Sequence, residues 1–64
     1  MCIATVYVAT GAKRKEVMRD VVRIEVEDGR FRLLSLLGEE KWLGGRLKSI
    51  DFWEEHTVII EQSE

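Results

Sequence analysis

The residue best suited to chemistry is the single cysteine of the 64-residue chain, Cys2, which follows Met1. A thiolate prefers soft and borderline metal ions, and nitrogen donors beside it favour a square-planar or tetragonal site of the kind that nickel(II) and copper(II) adopt. The α-amine of the chain and the first backbone amides lie within a few bonds of this sulfur. The start of the chain therefore brings sulfur and nitrogen ligands together.

The residue types alone leave a second interpretation of Cys2 open. A free cysteine is among the most buried residue types and often acts as a small hydrophobic side chain. One cysteine also cannot complete a four-ligand site unless the amine, a second chain or distant residues contribute. A single thiol excludes an internal disulfide and fits a reducing, cytoplasmic setting. No apolar run approaches the roughly 20 residues needed to cross a bilayer, so we expect no membrane segment.

Other polar residues give weaker signals of function. The one histidine, His56, stands at the start of a predicted strand, where a surface or packing role is more common than metal ligation. The acidic pairs at 39–40 and 54–55 are typical of solvated turns. Neither a nucleophile with an adjacent base nor a glycine-rich phosphate loop can be recognised. We therefore expect that the protein is not an enzyme.

An RNA-binding module is the alternative that the aromatic residues leave open. Trp42, Phe52 and Trp53 could stack on bases if they lay exposed on one face. In a chain with two Trp, two Phe and one Tyr, such rings more often anchor a core or a subunit interface. The net charge of −2 and a single dense basic run at residues 13–15 argue against broad nucleic-acid binding.

The elements that must position these residues are short β-strands. Residues 1–8 are rich in Thr, Val, Ile and Tyr, which predicts an ordered first strand. Residues 21–27 and 30–35 both alternate apolar and polar side chains, and Asp28-Gly29 between them predicts a tight hairpin. In the first of these runs we expect Val22, Ile24 and Val26 to face the core.

The remaining chain gives further short strands. They are predicted at residues 15–19, 41–43, 46–51 and 56–61, with a turn or bulge at Gly38 and with Val58 and Ile60 pointing inward. Such spacing favours a single all-β domain over residues 1–64, built as a small barrel or curled sandwich.

A chain of this size buries only a small hydrophobic core and so gains little stability from it. Association with a second copy is one common way in which small proteins gain more. Several apolar residues fall off the inward faces of the predicted strands, and large exposed apolar patches mark contact surfaces. We therefore expect a homodimer, with some of these residues covering the partner: Tyr7, Leu34, Leu36, Leu37 and Ile59.

Taken together, the pattern resembles the small CooT-type proteins over nearly the whole chain. The most specific features are Met-Cys at the start and the Leu-x-Gly-Glu-Glu-Lys segment at 36–41. The full set of matching segments is Met1-Cys2, Ala4-Thr5-Val6-Tyr7, Val17-Met18, Asp20-Val21-Val22, Asp28-Gly29, Leu36-Leu37-Gly38-Glu39-Glu40-Lys41, Gly45-Arg46-Leu47-Lys48 and Ile50-Asp51.

The resemblance implies an SH3-like β-barrel of about six or seven short, mainly antiparallel strands, and a homodimer. It also implies nickel(II) binding through Cys2, with a role as a metallochaperone or in nickel handling or sensing. Carbon monoxide dehydrogenase is the client that the resemblance suggests. Proteins of this kind have also been catalogued as predicted RNA-binding proteins, and RNA binding is the alternative function.

The chemistry of the chain end agrees with that resemblance. If Met1 is removed, Cys2 offers an amine and a thiolate in a five-membered chelate. If Met1 stays, its amine and the Cys2 amide must supply the nitrogens. Two such ends, brought together near the two-fold axis of a dimer, would give two nitrogens and two sulfurs in one plane.

Overall fold

The protein is described by a computed structural model over residues 3–63, which form six β-strands in a single sheet. Within that range there is no helix of the length and apolarity needed to cross a membrane. Neighbouring strands pair antiparallel except β1 and β6, which are parallel, so the expected all-β, mainly antiparallel class is confirmed. The strands are β1 Ala4–Thr10, β2 Lys13–Glu27, β3 Arg30–Ser35, β4 Glu40–Gly44, β5 Arg46–Asp51 and β6 Thr57–Glu61, in the spatial order β4-β3-β2-β1-β6-β5.

The hairpin between β2 and β3 is confirmed. Its two turn residues, Asp28 and Gly29, have φ angles of 51° and 72°. A two-residue type I′ turn requires positive φ at both positions, and Asp followed by Gly tolerates this best. Glu27 therefore pairs directly with Arg30, and the ladder continues from there.

Strand β2 is longer than the sequence suggested, because the two runs predicted at 15–19 and 21–27 form one strand of 15 residues. It bends in the middle, where Asp20 has a φ of 56°. The pairing register shifts at this bend against both neighbours, β1 and β3. Such irregularities bend a strand and increase its twist, so the first part of β2 pairs with β1 and the second part with β3.

The same bend changes which side chains face inward. Met18 and Val21 are buried, whereas Val22 and Val26 are 39% and 69% exposed. The predicted core positions of Val22 and Val26 were wrong. Val22 is the extra residue at the register shift between Val21 and Arg23, and Val26 pairs with Phe31 close to the hairpin turn, where its side chain stays exposed. Ile24, the third member of that predicted face, is partly buried and packs against the core.

The core lies between β1, β2, β3 and β6. Its buried members are Ala4, Val6, Met18, Val21, Phe31, Leu33, Val58 and Ile60, which confirms the predicted burial of Val58 and Ile60. Ile59 is also buried, at 7% exposure, because β6 lies between β1 and β5. Ile59 is therefore covered within one chain, which leaves Tyr7, Leu34, Leu36 and Leu37 as the residues expected to contact a second copy.

The expected closed barrel is not formed. Strands β4 and β5 occupy the two ends of the strand order and have no ladder between them in the described residues. Instead, side chains from β5 and from the second part of β2 line the two sides of an apolar cleft. Strand β5 is itself irregular, since the β5–β6 register shifts between Leu47 and Ser49.

Candidate metal site at the start of the first strand

The predicted metal ligand, Cys2, lies outside the described residues 3–63. Strand β1 begins at Ala4, two residues after it. Since an extended chain advances at most about 3.6 Å per residue, covalent geometry keeps the Cys2 Cα within about 7 Å of the Ala4 Cα. The position of Ala4 therefore limits where a metal held by Cys2 can lie.

The start of β1 is held from both sides. Ala4 is buried, at 4% exposure, and pairs with Val21 of β2. On the other side, the Thr5 amide donates a hydrogen bond of 3.0 Å to the carbonyl oxygen of His56, and Thr5 begins the parallel ladder at Thr57. Backbone paired on both edges frays little, so the strand is ordered to within two or three residues of Cys2.

His56 is exposed and stands just before β6, with a φ of 53°. Its ring meets Phe52 edge to face, with 6.3 Å between the centroids. Because its carbonyl accepts from Thr5, His56 lies beside the strand start that leads to Cys2. This confirms the expected surface location, and no clustering of ligands accompanies it in the described part of the chain.

The loop between β5 and β6 is organised by Asp51. Its carboxylate oxygen Oδ1 accepts hydrogen bonds from the Trp53 amide at 2.8 Å and from the Glu54 amide at 3.0 Å. These amides, Glu54 first and then Trp53, lower the pKa of Asp51 below the ordinary value because they stabilise its charged form. The loop thereby holds Trp53 in place although this side chain is 89% exposed.

No group of three or more His, Cys, Asp or Glu side chains placed to hold a metal ion occurs among residues 3–63. The acidic pairs at 39–40 and 54–55 are exposed, as the sequence predicted. The described residues therefore offer no set of three side-chain donors by themselves.

The Leu-x-Gly-Glu-Glu-Lys segment at residues 36–41 has a structural role that could not be predicted from the sequence. The Ser35 hydroxyl accepts from the Glu39 amide at 3.0 Å, and the Leu36 amide donates to the Asp20 carbonyl at 2.7 Å. The Lys41 ammonium donates to the Val17 carbonyl at 3.1 Å. These contacts tie the β3–β4 turn to the bend in β2.

Neither Trp42 nor Phe52 enters the core. Trp42 and Phe52 are 41% and 44% exposed, so of the two predicted roles, core or subunit-interface anchor, only the interface role stays a prediction for them. The guanidinium groups of Arg30 and Arg32 lie 5.0 and 5.9 Å from the Trp42 ring centroid. Arg32 is also paired with two carboxylates, Glu25 at 2.9 Å and Glu40 at 3.6 Å, which reduces the positive charge available to a phosphate.

Comparison with known proteins adds two findings. Residues 1–61 match the family model described as CO dehydrogenase accessory protein CooT, a match that includes Cys2. The fold is similar to a crystal structure of a proposed CooT from Carboxydothermus hydrogenoformans, with a TM-score of 0.88, 17% sequence identity, and coverage of 98% of this chain and 100% of that chain. At that identity the likeness concerns the fold alone. No curated protein matches the sequence significantly.

Proposed function

Because the chain belongs to the family of the CO dehydrogenase accessory protein CooT, we propose that it binds nickel(II) through Cys2 and delivers it during maturation of a nickel enzyme. The family description supports a role in maturation of CO dehydrogenase, and the proposed client is that enzyme. Nickel is the cargo in this role. The protein performs no catalysis and acts in the cytoplasm.

The observation that carries this proposal is the anchoring of β1 directly after a cysteine that lies within the family match. Ala4 is buried against β2, and the Thr5 amide is bonded to His56. A side chain binds a metal more tightly when the backbone that carries it loses little conformational entropy on binding. The contacts of Ala4 and Thr5 restrict the backbone of β1 from Ala4 onward, two residues after Cys2.

The donor set fits nickel(II). A thiolate with amine or amide nitrogens favours square-planar coordination, which suits nickel(II) and copper(II) better than zinc. Cys2 with its own amine gives one nitrogen and one sulfur, and with Met1 retained the Met1 amine and the Cys2 amide give the nitrogens. One chain end thus supplies only part of a four-coordinate plane.

A homodimer completes the site in this proposal. Two copies of the same chain end, related by a two-fold axis, would supply two sulfurs and matching nitrogens. The small core of a chain of this length also favours association. The proposed site therefore holds about one nickel per two chains.

The test is a nickel(II) titration of purified, correctly processed protein. Thiolate-to-metal charge-transfer absorption should saturate at about one nickel per two chains and weaken toward acid, because protons compete for the amine and thiolate. Cys2→Ser should abolish the absorption, since a hydroxyl stays protonated where a thiol ionises. Unchanged nickel affinity in Cys2→Ser would refute the proposal.

RNA binding receives no support from the surface around Trp42. Both acidic and basic side chains lie there, and Arg32 is already engaged by Glu25 and Glu40. A phosphate-binding surface relies instead on unopposed positive charge. Nickel binding is therefore the single function proposed.

A further inference from the structure

The turn between β3 and β4 exposes two adjacent leucines. Leu36 is 53% exposed and Leu37 is 87% exposed. A single exposed leucine is common on a protein surface. Two in succession in a turn form a contiguous apolar surface that the side chains of residues 3–63 leave open to solvent, and such a surface is typical of a contact with another protein. We call Leu36 and Leu37 the leucine tip.

Hydrogen bonds hold the backbone of the leucine tip in one conformation. The Ser35 amide donates to the Glu39 carbonyl at 2.9 Å, and the Ser35 carbonyl and hydroxyl accept from the Gly38 and Glu39 amides, each at 3.0 Å. The Leu36 amide donates to the Asp20 carbonyl at 2.7 Å, at the bend in β2. A surface that is already ordered loses little conformational entropy on binding, so the tip is preformed for a partner.

The leucine tip lies at the same end of the sheet as the start of β1. Val21 pairs with Ala4 on one side and with Ser35 on the other. Neighbouring strands are about 4.8 Å apart, so the Cα atoms of Ala4 and Ser35 are separated by roughly 10 Å. The tip follows Ser35 directly, and Cys2 comes two residues before Ala4. A protein bound at the tip is therefore held close to the chain end that carries the proposed metal ligand.

We propose that the leucine tip docks the enzyme that receives the nickel, by inserting into an apolar pocket bordered by lysine or arginine side chains. The inference rests on the proposed function, which supplies CO dehydrogenase as the client. It identifies the surface by which this chain recognises that client. Because the tip and the chain end share one end of the sheet, docking brings the client toward Cys2.

The charges beside the leucine tip favour a basic partner. The side chains of Asp20 and Glu39 are exposed and line a depression next to Leu37, and neither takes part in an ion pair within residues 3–63. Arg19 and Lys41 line the same depression, but they are already engaged by a carboxylate at 3.0 Å and a backbone carbonyl at 3.1 Å, respectively. An apolar tip flanked by two unpaired carboxylates is complementary to an apolar pocket with a basic rim.

A second copy of this chain fits the leucine tip less well than such a partner. A two-fold contact centred on the tip sets the same surface against itself. Asp20 and Glu39 of one copy would then approach the same carboxylates of the other, and like charges in contact are unfavourable. The sequence suggests both leucines as contacts for a second copy, whereas the observed charges favour a different protein.

Val26 offers a matched control for the leucine tip. It is also aliphatic and is 69% exposed, so that its replacement by serine likewise removes apolar surface from solvent. It pairs with Phe31 beside the β2–β3 hairpin turn, whereas the tip follows the other end of β3. A strand of this length separates the two sites by roughly 20 Å.

The experiment measures binding of the full chain to immobilised, nickel-free CO dehydrogenase of the same organism by biolayer interferometry. The wild type should bind. Leu36→Ser combined with Leu37→Ser should raise the dissociation constant by at least about 30-fold, because two apolar side chains lose their burial in the complex. Val26→Ser should leave it within about 3-fold. Circular dichroism and thermal melting establish that each variant is folded.

The association rate gives a second readout, for the charges. Asp20→Asn combined with Glu39→Gln should lower the association rate constant about 10-fold at low ionic strength, and added salt should slow the wild type by a similar factor. Asp20→Asn keeps the bend in β2, because asparagine tolerates the positive φ of 56° observed there.

The proposal is overturned if the wild type does not bind nickel-free CO dehydrogenase at about 100 μM, or if the folded leucine variant binds as the wild type does. It is equally overturned if Val26→Ser weakens binding as much as the leucine variant. A leucine variant that is folded but has an altered dimer dissociation constant in sedimentation equilibrium would assign the tip to a second copy and reject the proposal.

Cys2→Ser separates this inference from the proposed function. Docking that is lost in the leucine variant, while Cys2→Ser keeps full nickel affinity, would retain the leucine tip and reject the metal site. Nickel absorption that is lost in Cys2→Ser, while docking ignores the leucine variant, would retain nickel binding and reject the tip.

Discussion

The amide of Thr5 donates a hydrogen bond of 3.0 Å to the carbonyl oxygen of His56, which joins the first strand to the residue that precedes the last one. This contact opens the one parallel ladder of the sheet, between β1 and β6. It fixes the first strand three residues after Cys2. The backbone of His56 thus has a defined role in positioning the chain end, independent of its imidazole.

The first prediction separates these two roles of His56. His56→Asn should keep the fold, because Asn adopts the left-handed backbone conformation observed at this residue, φ 53°, more readily than most residues do. It should also leave the nickel charge-transfer absorption and stoichiometry unchanged, because the proposed donors belong to the chain end. His56→Val, which removes the imidazole but disfavours positive φ, should lower the free energy of unfolding by about 1–2 kcal/mol. Loss of nickel binding in folded His56→Asn would instead make the imidazole a ligand.

The second prediction concerns two adjacent glycines between β4 and β5. Gly45 has a φ of 134°, and a Cβ atom there would lie 2.6 Å from the Glu61 carbonyl oxygen and 2.8 Å from Ile60 Cγ2. Gly44 has open space around its Cα. Gly45→Ala should therefore lower the free energy of unfolding by about 2–4 kcal/mol, through strain and overpacking.

Gly44→Ala is the matched control, with an expected change within about 1 kcal/mol. Urea unfolding of both variants, followed by circular dichroism, measures the difference. Equal midpoints for the two variants would contradict the close packing of the β4–β5 link against β6.

The parts of the fold that the sequence predicted correctly are those with a local cause. The Asp28-Gly29 hairpin follows from the φ angles that a two-residue turn demands, and these two residues tolerate them. The inward direction of Val58 and Ile60 follows from alternation within one short strand. Neither inference needs contacts between residues far apart in sequence.

The features that could not be predicted arise from distant pairings. The positive φ of Asp20 belongs to a bend between the two parts of β2, which pair with β1 and β3, and Val22 beside that bend stays partly exposed. Ile59 is covered because β6 lies between two other strands. At the candidate site, the sequence identified a thiol at Cys2. The hydrogen bond from the Thr5 amide to the His56 carbonyl, however, depends on a parallel strand pairing that no local sequence pattern predicts.

The third prediction concerns the pH dependence of the β5–β6 loop. Hydrogen bonds from the Glu54 and Trp53 amides lower the pKa of Asp51 below the ordinary value of 3.8. The group is more acidic in the folded than in the unfolded state, so its stabilising contribution is complete above the unfolded pKa. That contribution is lost as the pH falls through the lower folded value.

The measurement follows the amide chemical shifts of Trp53 and Glu54 by NMR as the pH is lowered. Both should titrate with a midpoint below 3.8, the ordinary value for aspartate. Asp51→Asn should remove this titration while keeping an oxygen acceptor for both amides, which distinguishes Asp51 from the neighbouring glutamates. A midpoint at or above the ordinary value would show that these bonds do not favour the carboxylate.

The last prediction tests the RNA alternative at Trp42. We expect no binding of a single-stranded RNA oligonucleotide tighter than about 10 μM near 0.15 M salt, because the Arg32 guanidinium near this ring is already paired with Glu25 and Glu40. Fluorescence anisotropy at several salt concentrations measures this for the wild type, Trp42→Ala and Cys2→Ser. Tight binding that falls steeply with salt, is lost in Trp42→Ala and persists in Cys2→Ser would make RNA recognition the better account of this surface. Weak binding that is equal in all three proteins would exclude specific RNA recognition at Trp42.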